Sequence, residues 1–284
     1  MPNKLTTEVW ISDLKENPIP NNSFLTASLD RSEYVDNNIL HLQEAGARPS
    51  VYMDYFSGNE NDLPFADTAD TPHSVPLSIF STAQTKHRNL QDVELSYDRR
   101  SSVIKRHKDA LAIKLGMIAA NTWCPTQKDS FNEVLVRPNA TDGIIDMIIE
   151  MKKFYENTDL AGQLNVCLSP EHKAILFKED KVLYKQIFSD STANLYGFKV
   201  FEYSKNPIYT SAGVRKPMGS VAGETDRKAS FFWCSDEVFT CFGDVEMYAR
   251  LKDPAQQADT LSFAIRALVG NERANAPKYL GAIL

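Results

Sequence analysis

The sequence holds little that would support chemistry of its own. Its four cysteines, Cys124, Cys167, Cys234 and Cys241, form no CxxC pair and no ligand spacing. Structural zinc sites need paired ligand spacings, so these residues are expected as reduced, mostly buried thiols. The five histidines are scattered and include no HExxH pair. His172, without a spaced partner, reads as a surface residue with no catalytic role. GETDRK, residues 223–228, is not the phosphate-cradling GxxxxGK[ST] loop. GSVAG, residues 219–223, has the wrong spacing for a GxSxG nucleophile elbow. The acidic run Asp54, Glu60, Asp62, Asp67 and Asp70 lacks the spacing and the glycine of a calcium loop, and is expected as a solvated face. No apolar run approaches the ~18 residues of a membrane-spanning helix. The opening MPNKLTTEVWISDL lacks the charged-then-apolar pattern of a signal peptide. Catalytic, cofactor-binding and metal-ligating residues are therefore assigned to none of these positions, and no cofactor is expected.

What is present is material for a core. The chain has 284 residues, 43% hydrophobic and 10% aromatic, enough for one large domain or two small ones. Its formal net charge of −6 argues against a polyanion binder as a whole.

The organising stretch is Asp98–Trp123, DRRSSVIKRHKDALAIKLGMIAANTW. Ile104, Leu111, Leu115 and Ile118 recur at the helical period, so one stripe is buried. Asp98 is expected to cap the start, and Pro125 stops any continuation. The opposite face is basic: Arg99, Arg100, Lys105, Arg106, Lys108 and Lys114. Such a face meets phosphates or an acidic surface on a neighbour, or is simply solvated with Asp109 mixed in. The acidic loop upstream offers a partner for it in another copy.

Ahead of this helix, Thr6–Leu14 is amphipathic, with Val9, Trp10 and Leu14 apolar. The run to residue 38 is irregular yet supplies Ile19, Phe24, Leu25 and Leu29, which suggests an extended arm laid over another surface. Ile39–Leu42, Val51–Phe56, Ser78–Phe80 and Val93–Tyr97 read as strands, with a basic turn at Lys86, His87 and Arg88. Pro64, Pro72 and Pro76 argue against any long regular element between them. This excursion has little core of its own and needs a surface to pack on. After the helix come a strand at Glu133–Val136 and a helix over Asp142–Glu156 capped by Thr141. A buried strand at Asn165–Leu168 follows, then a helix over Pro170–Phe177 with Ser169 as cap and proline at its first position. Strands are expected at Lys199–Tyr203, Ser230–Cys234, Val238–Phe242, Met247–Leu251, Asp259–Val269 and Tyr279–Leu284. The pattern is α+β with antiparallel character, lacking the alternation of a doubly wound sheet.

Three stretches carry a likeness. NSFLTASLDRSEYVDNNILHLQEAGARPSV looks like an arm leading into a strand. VELSYDRRSSVIKRHKDAL looks like the end of an extended loop entering a spine helix. LYGFKVFEYSKNPIY, followed by EVFTCFGDVEMYARLKDP, is similar to a projecting domain returning to a peripheral one. In this order they resemble the major capsid proteins of tailed bacteriophages, with the Hong Kong 97-type fold. The resemblance implies an N-terminal arm at 1–38 and an extended β loop at 39–97. It implies a peripheral domain with the spine helix at 98–159, an axial domain at 160–245, and a return to the peripheral domain at 246–284. It further implies a virion protein, assembled in the bacterial host cytoplasm as hexamers and pentamers around double-stranded DNA without sequence specificity. Portal, scaffolding or decoration proteins are the implied partners, with scaffolding separate or absent and no membrane. Trp10, Phe24, Leu25, Tyr52, Phe56 and Phe65 are the arm and loop residues expected to pack on neighbours; Lys86 lies in the loop but carries no sign of crosslinking. An encapsulin-like shell of a cellular compartment shares these features. A carboxylate-based hydrolase is the remaining reading, motivated only by abundant Asp and Glu.

Overall fold

The computed structural model describes residues 20–44, 49–57, 61–65, 70–88, 96–139, 142–158, 160, 162–189, 194–255, 258–273 and 277–284. The expectations at Thr6–Leu14, Trp10, Ile19, Glu60, Asp67, Val93 and Thr141 lie outside these residues. The chain opens with β1 (Leu29–Asp30), β2 (Val35–Asp36) and β3 (Ile39–Glu44). Then come β4 (Thr71–Pro76), β5 (Ser78–Ser81), β6 (Thr85–Arg88) and the long helix α1 (Ser96–Thr122). After it follow β7 (Glu133–Leu135), α2 (Ile145–Glu156), β8 (Leu164–Leu168), α3 (Pro170–Glu179) and α4 (Lys181–Ser189). The rest is β9 (Asn194–Leu195), β10 (Phe198–Glu202), β11 (Ile208–Tyr209), β12 (Arg227–Lys228), β13 (Ser230–Cys234), β14 (Val238–Asp253), β15 (Ala258–Asn271) and β16 (Gly281–Ile283).

Two sheets carry the body. One is six-stranded, in the order β7-β16-β13-β8-β10-β9. The other is built on the β14–β15 hairpin, with β1 beside β14 and β5 and β6 both against β15. Every residue of β8 and β13 is buried, because the six-stranded sheet has a core on each face. Side chains alternate along a strand. Phe231 and Trp233 therefore enter one core with the end of α1, while Phe232 and Cys234 enter the other, under α2 and α3. β16 lies between β7 and β13, so this sheet joins segments from three of the sequence divisions suggested by the resemblance.

Helix α1 has 27 residues, about 40 Å at 1.5 Å per residue. It buries Leu111, Leu115, Ala119 and Ala120, with Trp123 just beyond its end. It begins at Ser96, so Asp98 lies inside the first turn rather than at the cap. Ser96 and Tyr97 are helical, not the end of a strand. α2 starts at Ile145, three residues later than the sequence suggested, because the Glu179 carboxylate accepts from the backbone N–H groups of Ile144 and Ile145 at 2.7 and 3.4 Å. Ser169 caps α3 as expected, its hydroxyl accepting from His172 N. α4 went unforeseen, although Asp180 accepts from Val182 N and Leu183 N as a cap should.

The excursion before α1 departs most from expectation. Residues 51–57 form a largely exposed turn, and among the described residues no strand lies beside them to complete a ladder. Lys86, His87 and Arg88 lie in β6, paired with β15, instead of forming a turn. β4 contains Pro72 and Pro76 but sits at the edge of the β2-β3-β4 sheet, where a missing N–H is tolerated. The two strands expected at 238–242 and 247–251 are one 16-residue strand, β14, with a register shift between Phe242 and Val245.

Phe24 corrects the picture of a detached arm. Its ring is fully buried within its own chain, with centroids 5.7, 5.0, 5.7 and 6.2 Å from those of Trp123, Tyr203, Phe231 and Trp233. Leu25 packs beside this cluster, and Trp233 Nε1 donates to Ala27 O at 2.8 Å. Asn22 Nδ2 donates to Ala112 O at 2.6 Å on α1, and Gly116 leaves no room for a Cβ, which would stand 2.4 Å from Asn22 Oδ1. A cut at residue 30, at first sight harmless to the body, would remove part of its core. Phe24→Ala is expected to cost about 3–5 kcal/mol in urea unfolding of the purified chain, the range for truncating a buried phenylalanine. A loss under about 1 kcal/mol would show that this ring does not anchor the segment.

Candidate functional site

The sequence pointed to two surfaces, the basic face of α1 and the loop ahead of it. On α1, Lys105, Arg106, Lys108 and Lys114 are exposed, and the side chains of Arg99 and Arg100 lie outside the described set. His107 turns inward between these cations. Its Nδ1 lies 2.7 Å from Thr82 Oγ1 and its Nε2 2.9 Å from Thr85 Oγ1. Those two hydroxyls also bond the backbone of Phe263 and Leu261 in β15. One imidazole thus ties the helix, the base of the loop and the long hairpin. Lys86 and Arg106 flank the same place, beside a depression of about 460 Å³.

The loop surface is apolar and uncovered. Val51, Met53 and Phe65 are almost fully exposed, and Tyr52, Phe56 and Leu63 are about half exposed or more. Tyr52, Tyr55 and Phe56 pack ring against ring, with centroids 5.3 Å apart in each successive pair, and the Tyr55 hydroxyl donates to Asp62 O at 3.1 Å. The expected packing residues therefore divide: Phe24 and Leu25 are satisfied within the chain, whereas Tyr52, Phe56 and Phe65 are not.

Among the described carboxylates, those with shifted pKa values are held low. Asp30 is held below its usual range by Ser32, and Asp226 by Lys216 and Gly223 N. Burial pushes Asp129 up, but donors on Asn132 and Phe131 outweigh it. All three move away from the raised pKa that a carboxyl needs to serve as a general acid at neutral pH. Burial pushes the Cys124 thiol up to about 12, so it is no poised thiolate. Among the described residues, no three of His, Cys, Asp and Glu come together as metal ligands, and no helix is long and apolar enough to cross a membrane. A cavity of about 680 Å³ lies at the C-terminal end of α1, where Asn121, Arg215, Asn271 and Lys278 are among its lining.

His172 is not on the surface. It is buried at the start of α3, with Nδ1 2.7 Å from Ser230 Oγ. Arg137 Nη2 lies 3.0 Å from Nε2, and arginine only donates, so Nε2 accepts and Nδ1 carries the proton. Arg137 Nε also donates to Leu284 O at 3.0 Å, which fixes the last strand to this network. Its sequence signal was the adjacent cap, Ser169-Pro170, which places the third residue inward, toward β13.

No family model matches the sequence, and no curated protein matches it. Solved structures do match over nearly the whole chain. A structure from Mycobacterium phage Che8 aligns with 100% of this chain and 98% of its own, at TM-score 0.69 and 14% identity. The capsid structure of cyanophage P-SCSP1u covers 98% and 92%, at TM-score 0.68 and 11% identity. The cyanophage Pam1 capsid asymmetric unit covers 100% and 97%, at TM-score 0.67 and 11% identity. The chain therefore has the mixed α+β fold of phage capsid structures, as the resemblance implied.

The buried imidazole generates an acid sensitivity. Burial, then Arg137 and Arg227, push His172 down from 6.5 to about 3. Between those values the unfolded chain binds the proton and the folded chain does not, so stability falls as pH drops. The contribution is complete above pH ~6.5 and declines below it by at most about 1.4 kcal/mol per pH unit. His172→Gln is expected to flatten the fall of the urea midpoint between pH 6.5 and 4. A variant with the wild-type slope would show that His172 does not carry it.

Proposed function

We propose that this chain is a major capsid subunit of a tailed phage, with the Hong Kong 97-type architecture. It assembles into hexamers and pentamers of an icosahedral head that encloses double-stranded DNA. The observation that carries this reading is the match in fold to capsid structures, which takes in 100% of this chain and 97% of the Pam1 capsid chain. The uncovered aromatic loop supports it: Tyr52, Phe56 and Phe65 have no seat in their own subunit and bury their rings on a neighbour. Many such contacts, each modest, are multiplied by symmetry into a durable shell.

In this reading residues 1–38 are the arm, 39–97 the extended loop, 98–159 and 246–284 the peripheral domain, and 160–245 the axial domain. Phe24 anchors the base of the arm. Arg99, Arg100, Lys105, Arg106 and Lys108 meet the acidic loop of a neighbour or packaged DNA, through charge alone. The protein is structural rather than catalytic, resides in the virion, and is built in the host cytoplasm. Portal, scaffolding and decoration proteins complete the particle. An encapsulin-like shell would use the same subunit with a different content.

Electron microscopy of the purified chain is expected to show capsomers, tubes or closed shells. Co-purified DNA supports the phage head; co-purified enzyme and no DNA would favour the compartment. Replacing Tyr52, Phe56 and Phe65 by serine is expected to leave the urea midpoint of the subunit unchanged while abolishing particles. A monomer at all concentrations, with its loop folded onto its own body, would defeat the proposal.

A further inference from the structure

One long backbone edge in this fold is open. β14 pairs with β15 along its length, but with β1 only at Phe239 and Thr240. The segment after β1 adds two more bonds, from Arg31 N to Thr240 O at 2.9 Å and from Phe242 N to Ser32 Oγ at 3.0 Å. Beyond that point, among the described residues, no strand covers the outer side of β14. An uncovered edge presents a row of N–H and C=O groups ready to pair with another strand.

The usable part of this edge is delimited. Val245 to Arg250 runs in unbroken register against Ile265 to Thr260, with a register shift on each side. Such irregularities bend a strand and end pairing. The window is thus Val245-Glu246-Met247-Tyr248-Ala249-Arg250. Val245, Met247 and Tyr248 are 53, 54 and 55% exposed. Alternation sets Val245, Met247 and Ala249 on one face and Glu246, Tyr248 and Arg250 on the other.

We propose that two copies of this chain pair through this edge, strand against strand and antiparallel, about a two-fold axis at Tyr248. The inference rests on the self-assembly reading, because the occupant is a second copy. What singles out that occupant is self-complementary charge. With the axis at Tyr248, Glu246 of each copy stands opposite Arg250 of the other, so the ion pair forms twice. Met247 stands opposite Ala249 on the apolar face, and the two Tyr248 rings meet at the centre. Centring on Glu246 or Arg250 would set like charges against each other, which costs stability.

The side chains are available for the exchange. The Tyr248 hydroxyl donates to Glu246, an exposed contact within one strand that the pairing replaces. Arg250 reaches Asp253 through Nε at 3.4 Å, and its guanidinium has further donors to spare. Six residues a side bury far less than the ~1,200 Å² of a stable complex, so the contact is weak alone. It becomes effective where symmetry repeats it, with the same patch serving both partners.

The test uses the full-length chain under conditions where it assembles. Tyr248→Cys places two thiols across the axis, and mild oxidation is expected to yield disulfide-linked pairs on a non-reducing gel. The native cysteines are buried and give little background. Ala249→Cys, whose opposite neighbour is Met247, is expected to link at least fivefold less. In the Tyr248→Cys background, Glu246→Arg or Arg250→Glu is expected to cut linking at least fivefold, and the double swap E246R/R250E to restore it. Particles without the 248–248 link would leave the shell reading standing and overturn this one. Equal linking at 248 and 249, or no restoration by the double swap, would overturn it too. Linked pairs without particles would uphold the edge and count against the shell.

Discussion

The structure depends on the seating of one ring. Phe24 sits among Trp123, just beyond α1, Tyr203, just after β10, and Phe231 and Trp233 of β13. Those four rings come from three distant parts of the chain, and the Phe24 ring packs against all of them. Each such aromatic pair adds about 0.5–1.5 kcal/mol beyond the area buried. The two indole N–H groups are satisfied by backbone on either side, Trp233 by Ala27 O and Trp123 by Gly270 O. Gly270 is required where it is: a Cβ there would stand 2.6 Å from the Phe239 ring. The seat thus fixes the helix, the sheet and the hairpin relative to one another.

Away from that seat the same residue types meet the opposite fate. Among the described residues, Val51, Met53 and Phe65 find no wall, and beyond β1 the outer edge of β14 finds no strand. A body closed by Phe24 and a periphery left open are the two halves of one design under the capsid reading. The first makes the subunit a defined unit; the second makes it incomplete until copies meet.

Polar groups buried in the body act as fasteners rather than as reactive centres. Ser169, His172, Ser230 and Arg137 join α3, β13 and the last residues, with Arg137 Nε on Leu284 O. His107 does the same between α1, the loop base and β15. In the low dielectric of an interior such a bond is costly to break, because its partner is left unpaired. These imidazoles hold the segments they join at fixed angles to one another.

The long helix, the buried strand at residues 164–168, the Ser169-Pro170 start of α3 and the closing strands were legible in the sequence, because period, caps and β-branched or aromatic runs are local properties. The α+β class and the likeness to capsid proteins followed from their order. Other features were decided by contacts distant in sequence. Val51–Phe56 has strand composition but no ladder partner, whereas Lys86–Arg88 looks like a turn and is made a strand by β15. The start of α2 was set by a carboxylate from α3. His172 looked solvated because its partners, Arg137 and Ser230, are far away in the chain. Phe24 looked like part of a free arm because nothing near it in sequence reveals the four rings that enclose it. Local sequence determines what each segment can become; the tertiary structure alone decides which apolar side chains are buried within the subunit and which remain exposed, since burial depends on surfaces brought together from far along the chain.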